Sequence, residues 1–253
     1  QQMCPEVYVI THALLGFGWV DAALAAKPGD AQHQHALAQA RWLESRVDTK
    51  KSREIFSASL APAYGAFYRG YRAWLRGGIL LADPNAPPDE IETFRKDCDE
   101  IAAALRGAQT PYMESYHNMA WPADSVFLVA SLALHDKLFK ATYQDDLERW
   151  VEMVRERVDD DLGMVPHYAV PGTGEVYVEP RGVSSVVMSR MLWEVDVEFA
   201  RDQYDKTREH FVVSRLGLFP GIQEYREGSS GDGDVDTGPL VFGISASAST
   251  VGV

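Results

Sequence analysis

The chain has 253 residues, 46% of them apolar, which is enough for one domain with a sizeable core. Its formal net charge of −13 argues against binding to nucleic acid or to an anionic membrane surface, since both need clustered Lys and Arg. No apolar run reaches the roughly 18–20 residues that span a bilayer, and there is no signal-peptide pattern, so we expect no membrane span.

Helical periodicity dominates the sequence, and apolar segments alternate with amphipathic ones. The apolar segments, which should be buried, are Pro5–Ala26, Leu60–Ala82, Pro122–Phe139, Ser184–Ala200 and the residues from Pro239 onward. The amphipathic segments, which should lie outside them, are Asp30–Val47, Pro87–Arg106, Tyr143–Val158 and Arg201–Val213. Val, Tyr, Pro and Gly are frequent in Gly163–Gly182, which predicts a short hairpin and is the one convincing strand signal. We therefore expect an all-α fold.

The apolar helices recur at a regular spacing. They are predicted to begin near Tyr64, Asp124, Arg181 and Asp236, which are 60, 57 and 55 residues apart. Stacked helical hairpins of this kind bury their inner helices against one another, so the pattern predicts a single α/α toroid over residues 1–253. Six hairpins of about 57 residues would need about 340 residues. We therefore expect the chain to be part of a longer protein, with its last hairpin incomplete.

The loops that precede the inner helices should all lie at one end of the toroid. Each contains a proline, namely Pro62, Pro122, Pro180 or Pro239, and proline suits the first turn of a helix because it has no N–H to leave unpaired. Helix N-termini also point to this end. We therefore expect the polar residues of these loops to converge on one funnel.

The most acidic of these loops is Gly228–Phe242, which reads GSSGDGDVDTGPLVF. Asp232, Asp234 and Asp236 occupy alternate positions among glycines that let the backbone approach a ligand. Pro239 follows them, so we expect the loop to end at the N-terminus of a buried helix. The helix dipole would stabilise ionised acids there by about 0.3–1 kcal/mol.

No metal site is expected. An EF-hand loop that started at Asp232 would need glycine at position 237 and glutamate at position 243, where the chain has Thr237 and Gly243. Cys4 and Cys98 are far apart and match no metal-binding spacing; a disulfide between them has no positive support.

Three aspartates are the candidate catalytic residues. Asp124 follows Trp121 and Pro122 at the start of an apolar helix, where burial would raise its pKa and the helix dipole would lower it; the alternative is an ordinary helix cap. Asp234 and Asp236 are close enough in sequence that one pKa should rise, which suits an acid–base pair. Their alternative role is to brace the loop with hydrogen bonds.

Several other residues of the same loops could bind a substrate. Arg181 could clamp a carboxylate or a sugar hydroxyl, or it could form an ion pair with Glu179 or a loop acid. Trp and Tyr faces suit sugar rings, although such residues at helix starts are more often core anchors. His167 could line the rim of the funnel, but a surface imidazole is the default. The substrate-binding candidates are Glu114, Tyr116, His117, Trp121, Glu179, Arg181 and Tyr64, the last of which is more easily explained by packing.

Three short sequences carry a resemblance to a known family: W-P-A-D at Trp121, E-P-R-G at Glu179 and D-V-D-T-G-P at Asp234. With the helical hairpins, they resemble the six-hairpin glycosidase-like superfamily, and in particular poorly characterised bacterial members with a D-x-D-S-G-P-like loop. The resemblance covers most of the chain from Phe56 onward. Thr237 stands where the family pattern has serine.

The resemblance implies an (α/α)6 barrel whose funnel often handles carbohydrate with carboxylate acid–base catalysis, with inversion at the anomeric carbon. It also slightly favours an extracytoplasmic location. Some toroids of this shape act on polyisoprenoid and terpenoid compounds, so fold alone does not fix function.

We therefore expect a glycoside hydrolase-like enzyme acting on a small-molecule or oligosaccharide substrate. One alternative is a lyase or dehydratase-isomerase for a polysaccharide or terpenoid, which a funnel lined by Cys, Tyr and apolar side chains would favour. The other alternative is a non-catalytic carbohydrate-binding or scaffold protein. No cofactor is expected, because the sequence has no P-loop and no G-x-G-x-x-G motif after a strand.

Overall fold

The computed structural model describes residues 6–252, apart from residues 216 and 218. The described part of the chain is mostly helical, which confirms the predicted helical class. Its helices are α1 (Val7–Ala25), α2 (Ala31–Val47), α3 (Lys50–Arg53), α4 (Gly65–Ala82), α5 (Pro88–Gly107), α6 (Pro122–Leu138), α7 (Gln144–Arg155), α8 (Gly182–Leu192), α9 (Val197–Phe211) and α10 (Ala246–Val251).

The strands are short and form three antiparallel pairs. They are β1 (Tyr168–Ala169), β2 (Val176–Val178), β3 (Val212–Arg215), β4 (Phe219–Ile222), β5 (Leu240–Val241) and β6 (Ile244–Ser245). The β1–β2 pair lies inside the segment predicted to form a hairpin, so that prediction is confirmed. The β3–β4 and β5–β6 pairs were not predicted.

Inner and outer helices alternate along the chain. Among the inner helices, α1 packs on α4, α4 on α6, α6 on α8, and α8 on α10. The outer helices α2, α5, α7 and α9 each pack on the inner helix that precedes them. The first four inner helices begin at Val7, Gly65, Pro122 and Gly182, so their starts are 58, 57 and 60 residues apart. The chain therefore repeats one helical hairpin, and equivalent positions of successive hairpins lie side by side.

Glycines allow a close contact between α4 and α6. A Cβ atom on Gly70 would lie 2.8 Å from the Cβ of Phe127, and one on Gly77 would lie 2.6 Å from Leu134. The backbone of α4 therefore packs directly against side chains of α6 along this stretch. Cys98 of α5 is fully buried, and its Sγ lies 3.8 Å from the carbonyl oxygen of Ser131 in α6. Cys4 lies outside the described residues, so its pairing stays untested.

Buried arginines fasten the outer helices to α4. Arg72 forms ion pairs with Asp97 of α5 and, at 3.0 Å, with Asp48 after α2. Arg76 contacts Asp97 at 2.5 Å and Asp48 at 2.8 Å, and Arg69 contacts Asp97 at 3.2 Å. Removal of one partner from such a network is costly because it leaves a buried charge uncompensated. The network fixes α2 and α5 against one face of α4.

Helix α1 differs from its prediction in two ways. It was expected to be buried on most sides, but Tyr8, Leu14, Leu15 and Leu24 are 46–55% exposed. By length and composition it is also the one described helix that could cross a membrane, with a mean hydropathy of 1.5. We expected no segment to be long and apolar enough to span a bilayer, and that expectation was wrong. His12 and Asp21 interrupt the apolar run, but the mean hydropathy of the helix is still 1.5. A core helix of a soluble protein passes the same test.

The segment after Pro239 was predicted to be a buried helix, and that prediction was wrong. The chain instead forms the β5–β6 hairpin, and α10 begins only at Ala246. Gly238 and Gly243 have φ angles of 66° and 80°, so the backbone turns at both ends of β5 instead of continuing as a helix. The helix start is marked by Ser245, whose Oγ accepts a hydrogen bond from the N–H of Ala248.

Candidate active site

Asp124 lies in the first turn of α6, at the end of the molecule where the inner helices begin. One of its carboxyl oxygens accepts a 2.5 Å hydrogen bond from Oγ of Ser115, which is fully buried. Burial raises the pKa of Asp124 to about 7, with a further increase from the negative charge of Asp236 and an opposing effect from Ser115. Near neutral pH this carboxyl group can therefore hold a proton or release it.

Asp236 is 112 residues further along the chain, yet it interacts electrostatically with Asp124. Asp236 is exposed to solvent. The surrounding protein raises the pKa of Asp236, and so does the charge of Asp234, whereas Arg181 lowers it. Tyr71 of α4 lies close to both acids: burial raises the pKa of its phenol, and the charges of Asp124 and Asp236 raise it further. Two acids from distant loops thus act electrostatically on one buried tyrosine.

Asp234 is held on both sides of its carboxylate. One oxygen accepts hydrogen bonds from the backbone N–H groups of Asp236 and Thr237, at 3.0 and 3.1 Å. The other oxygen contacts Nη1 of Arg181 at 2.8 Å. Burial acts to raise the pKa of Asp234, but these hydrogen bonds outweigh it and the pKa is lowered. Asp234 is therefore an ionised brace of the loop, and Asp236 is the loop acid whose charge raises the pKa of Asp124. Asp232 is exposed.

Arg181, the residue before α8, is the centre of the ionic contacts. Its side chain is buried; Nε donates to Glu224 at 2.6 Å while Nη1 reaches Asp234, and the guanidinium lies over the ring of Tyr225 at 5.1 Å. Of the two partners foreseen for Arg181, the structure therefore selects a loop acid. Glu179 instead accepts hydrogen bonds from Arg226 and Ser229.

His167 lies against the same arginine. It was expected to be a surface imidazole, but it is only 7% exposed. Burial and the positive charge of Arg181 lower the pKa of His167 to about 4, so the ring is neutral. Its Nε2 accepts from Arg181 Nη1 at 3.3 Å, and its Nδ1 donates to Oγ of Ser184 at 3.1 Å. The hydroxyl of Ser184 donates in turn to the carbonyl of Arg181. The closed set of bonds fixes the arginine in one orientation.

The loop that precedes Asp124 supplies aromatic rings. Trp121 is half-buried and makes edge contacts with Tyr116 and Tyr168, at centroid distances of 6.1 and 5.0 Å. Tyr177, which is 70% exposed, continues the row beyond Tyr168. This row of rings therefore extends from the Asp124 loop to the β1–β2 hairpin.

The remaining candidates, two in this loop and Tyr64 before α4, make only local contacts. Glu114 accepts a hydrogen bond from the backbone N–H of Asn118, and exposed His117 contacts Ser59 at 3.2 Å. The ring of Tyr64 contacts the buried ring of Tyr68. None of these contacts involves Asp124, Asp236 or Tyr71. The described residues therefore give these three candidates no role other than local packing and hydrogen bonding.

An apolar groove with a volume of about 490 Å3 runs between α1, α4, α6 and α8. Tyr71 and Phe127 line it, and their rings are stacked at 4.3 Å. Tyr71 therefore lines the groove and also interacts electrostatically with Asp124 and Asp236. The remaining lining residues are mainly apolar, and charged Asp21, Lys137, Arg190 and Glu194 also lie along the groove. A second cavity of about 340 Å3, beside the β3–β4 hairpin, is lined by Arg215, Tyr225 and Arg226 among others. Neither the groove nor this cavity is lined by Asp124 or Asp236.

Comparison with known proteins does not identify the chain. No protein-family model matches it, and no curated protein has a significantly similar sequence. In the part of the chain that the structure describes, no three His, Cys, Asp or Glu side chains are placed to hold a metal ion. The site must therefore be interpreted from its own residues.

Sequence reasoning missed Glu224, Tyr71 and Ser115. Glu224 follows β4, and no local motif distinguishes it from the other 36 acidic residues. Tyr71 lies in the middle of an apolar helix, where an aromatic residue is normally part of the core. A usable signal was the repeat itself, because Tyr71 and Phe127 both lie in the second turn of successive inner helices.

Proposed function

We propose that this chain is an enzyme that breaks a C–O bond by carboxylate acid–base catalysis, with Asp124 as the acid and Asp236 as the base. The observation that carries the proposal is that the charge of Asp236 reaches buried Tyr71 and Asp124, where it raises the pKa of both groups. An acid with a pKa of about 7 can donate a proton at neutral pH, and a nearby carboxylate can accept one.

The proposed fold is an α/α toroid, and the hairpins of the described chain would form part of its ring. The order of packing from α1 through α8 supports it, as does the spacing of about 57 residues between inner helices. The resemblance to the six-hairpin glycosidase-like superfamily suggests the same architecture. In a toroid of this kind, the acids would stand at the mouth of the central funnel.

The first candidate reaction is glycoside hydrolysis. Protonated Asp124 would give its proton to the oxygen of the leaving sugar, while ionised Asp236 would take a proton from the attacking water. Trp121 and Tyr168 would offer ring surfaces to a sugar, and Arg181 and Glu179 would hold the loops around it. Inversion is proposed from the family resemblance and requires a carboxyl separation of about 6.5–9.5 Å.

The second candidate reaction is elimination from a less polar substrate, by a dehydratase-isomerase or lyase. Tyr71 favours it because this residue joins the acids to the apolar groove of about 490 Å3, a size within the range of small-molecule sites. Asp124 would protonate a hydroxyl, which leaves as water with the C–O electron pair. Asp236 would then remove a proton from the neighbouring carbon, and that C–H electron pair would form the double bond.

A substrate panel separates the two candidates. Aryl glycosides and oligosaccharides form one half of the panel and allylic alcohols the other, with products analysed by chromatography. Turnover of either half should fall by about 10²–10⁴-fold in Asp124→Asn and in Asp236→Asn, while the melting temperature is not lowered. A binding or scaffold protein would instead bind a panel member without turnover. Turnover that survives both substitutions would contradict the proposal.

A further inference from the structure

We infer that Glu224 is a positioning residue for the acid pair: it holds Arg181, and through Arg181 it holds the loop that places Asp236 beside Asp124. The inference rests on the proposed function, because it gives Asp236 the role of the partner acid. Glu224 does not touch the acids itself, so it would act only through the residues between them.

Glu224 is itself rigidly fixed. Its side chain is 0% exposed, and its two carboxyl oxygens accept from Nε of Arg181 at 2.6 Å and from the N–H of Val183 at 3.2 Å. Its backbone N–H donates to the carbonyl of Gly243, and its backbone carbonyl accepts from the N–H of Gly182, both at 2.9 Å. Glu224 is therefore tied to the start of α8 and to the β5–β6 turn at once.

Arg181 passes this constraint to the acidic loop. Its guanidinium has a fixed fork of donors, so the direction in which Nη1 points is set once Nε is bound. Nε lies on Glu224, and Nη1 lies between His167 and Asp234. The ring of Tyr225 supports the plane of the guanidinium from one side. A lysine could carry the same charge but not this geometry.

Asp234 completes the chain of contacts. The oxygen that does not contact Arg181 accepts from the backbone N–H of Asp236 itself. The position of the Asp236 backbone therefore depends on Glu224 through two ion pairs and one hydrogen bond. Residues that share one network of ion pairs and hydrogen bonds are coupled, so a change at one end should be detected at the other.

The pKa of Asp124 is the readout, because the charge of Asp236 contributes to it and weakens with distance. Carboxyl ¹³C NMR titrations would compare the full chain with Glu224→Gln and with Asp236→Asn. The Glu224→Gln substitution would keep the shape of the side chain but place an amide NH₂ or a weaker acceptor against Arg181 and Val183. We expect the pKa of Asp124 to fall in Glu224→Gln, by no more than it falls in Asp236→Asn.

Glu90→Gln is the matched control. Glu90 also pairs with an arginine, Arg41, but this ion pair joins α5 to α2 and not the loops around Arg181. The control substitution should leave the pKa of Asp124 unchanged. If Glu224→Gln does not fold, Arg181→Lys replaces it, with the same expected fall. An unchanged pKa in a folded variant of either kind would overturn the inference. An unchanged pKa in Asp236→Asn would instead overturn the acid pair of the proposed function.

Discussion

Replacement of Asp124 by asparagine should stabilise the protein at alkaline pH while removing its activity. Burial holds the pKa of Asp124 at about 7, whereas the same group in an unfolded chain has its ordinary value of 3.8. Asparagine is neutral at every pH, and its amide oxygen can still accept the hydrogen bond of Ser115. The substitution therefore removes the cost of a buried negative charge and keeps the local packing.

The sign and size of the effect follow from proton binding. Between about pH 4 and about pH 7 the folded wild type keeps a proton that the unfolded chain has lost, so its stability falls as the pH rises. The difference between these two pKa values corresponds to about 4 kcal/mol. Asp124 is only half-buried, so solvent screening reduces the expected difference to about 2–4 kcal/mol. Above about pH 7 the difference should be constant.

Urea unfolding followed by tryptophan fluorescence, from about pH 4 to about pH 9, measures this difference. Asp48→Asn is the matched control with the opposite sign. Burial acts to raise the pKa of Asp48, but Arg72 and Arg76 outweigh it and lower that pKa, so the ionised form stabilises the fold. Its removal should cost about 1.5–3 kcal/mol at neutral pH. A loss of stability in Asp124→Asn that does not vary with pH would refute the reasoning and make Asp124 a helix cap.

Two further predictions concern packing and buried charge, and urea titration measures both. Gly70→Ala should destabilise the protein by about 1–3 kcal/mol, because the added methyl would lie 2.8 Å from the Cβ of Phe127. The control is Gly18→Ala, where nothing lies within 4 Å; it should be neutral or stabilising by up to about 1 kcal/mol. Equal changes in the free energy of unfolding for the two variants would contradict the close α4–α6 contact. Arg72→Met should cost about 3 kcal/mol, because it removes a partner of buried Asp97. A cost below about 1 kcal/mol would mean that the remaining arginines suffice.

The helices were predictable because their signals are local. Apolar residues at steps of three and four located α4, α5 and α6 to within a few residues at most ends. The repeat spacing also gave the order in which inner helices pack. The exposed face of α1 was not predictable, since composition alone does not say which side of an apolar helix finds a neighbour. The β5–β6 hairpin was missed because a proline after a loop suits a turn as well as a helix start.

The candidate site was predictable where it depends on loops of the repeat, and not where it depends on contacts between distant residues. Asp124 and Asp236 were candidates because both lie in loops that precede predicted inner helices, two repeats apart. Glu224 acquires its role only through Arg181, which is 43 residues away in sequence. The same holds for His167, whose burial depends on Arg181 and Ser184 and not on its own neighbours.

The central claim is that Asp124 and Asp236 form one interacting pair. A carboxyl ¹³C NMR titration of Asp124, in the wild type and in Asp236→Asn, tests it most directly. The account predicts a pKa of about 7 in the wild type and a lower value in the variant, because the charge of Asp236 contributes to the elevation. An Asp124 that titrates identically in both proteins, or near the ordinary value of 3.8 in the wild type, would contradict it.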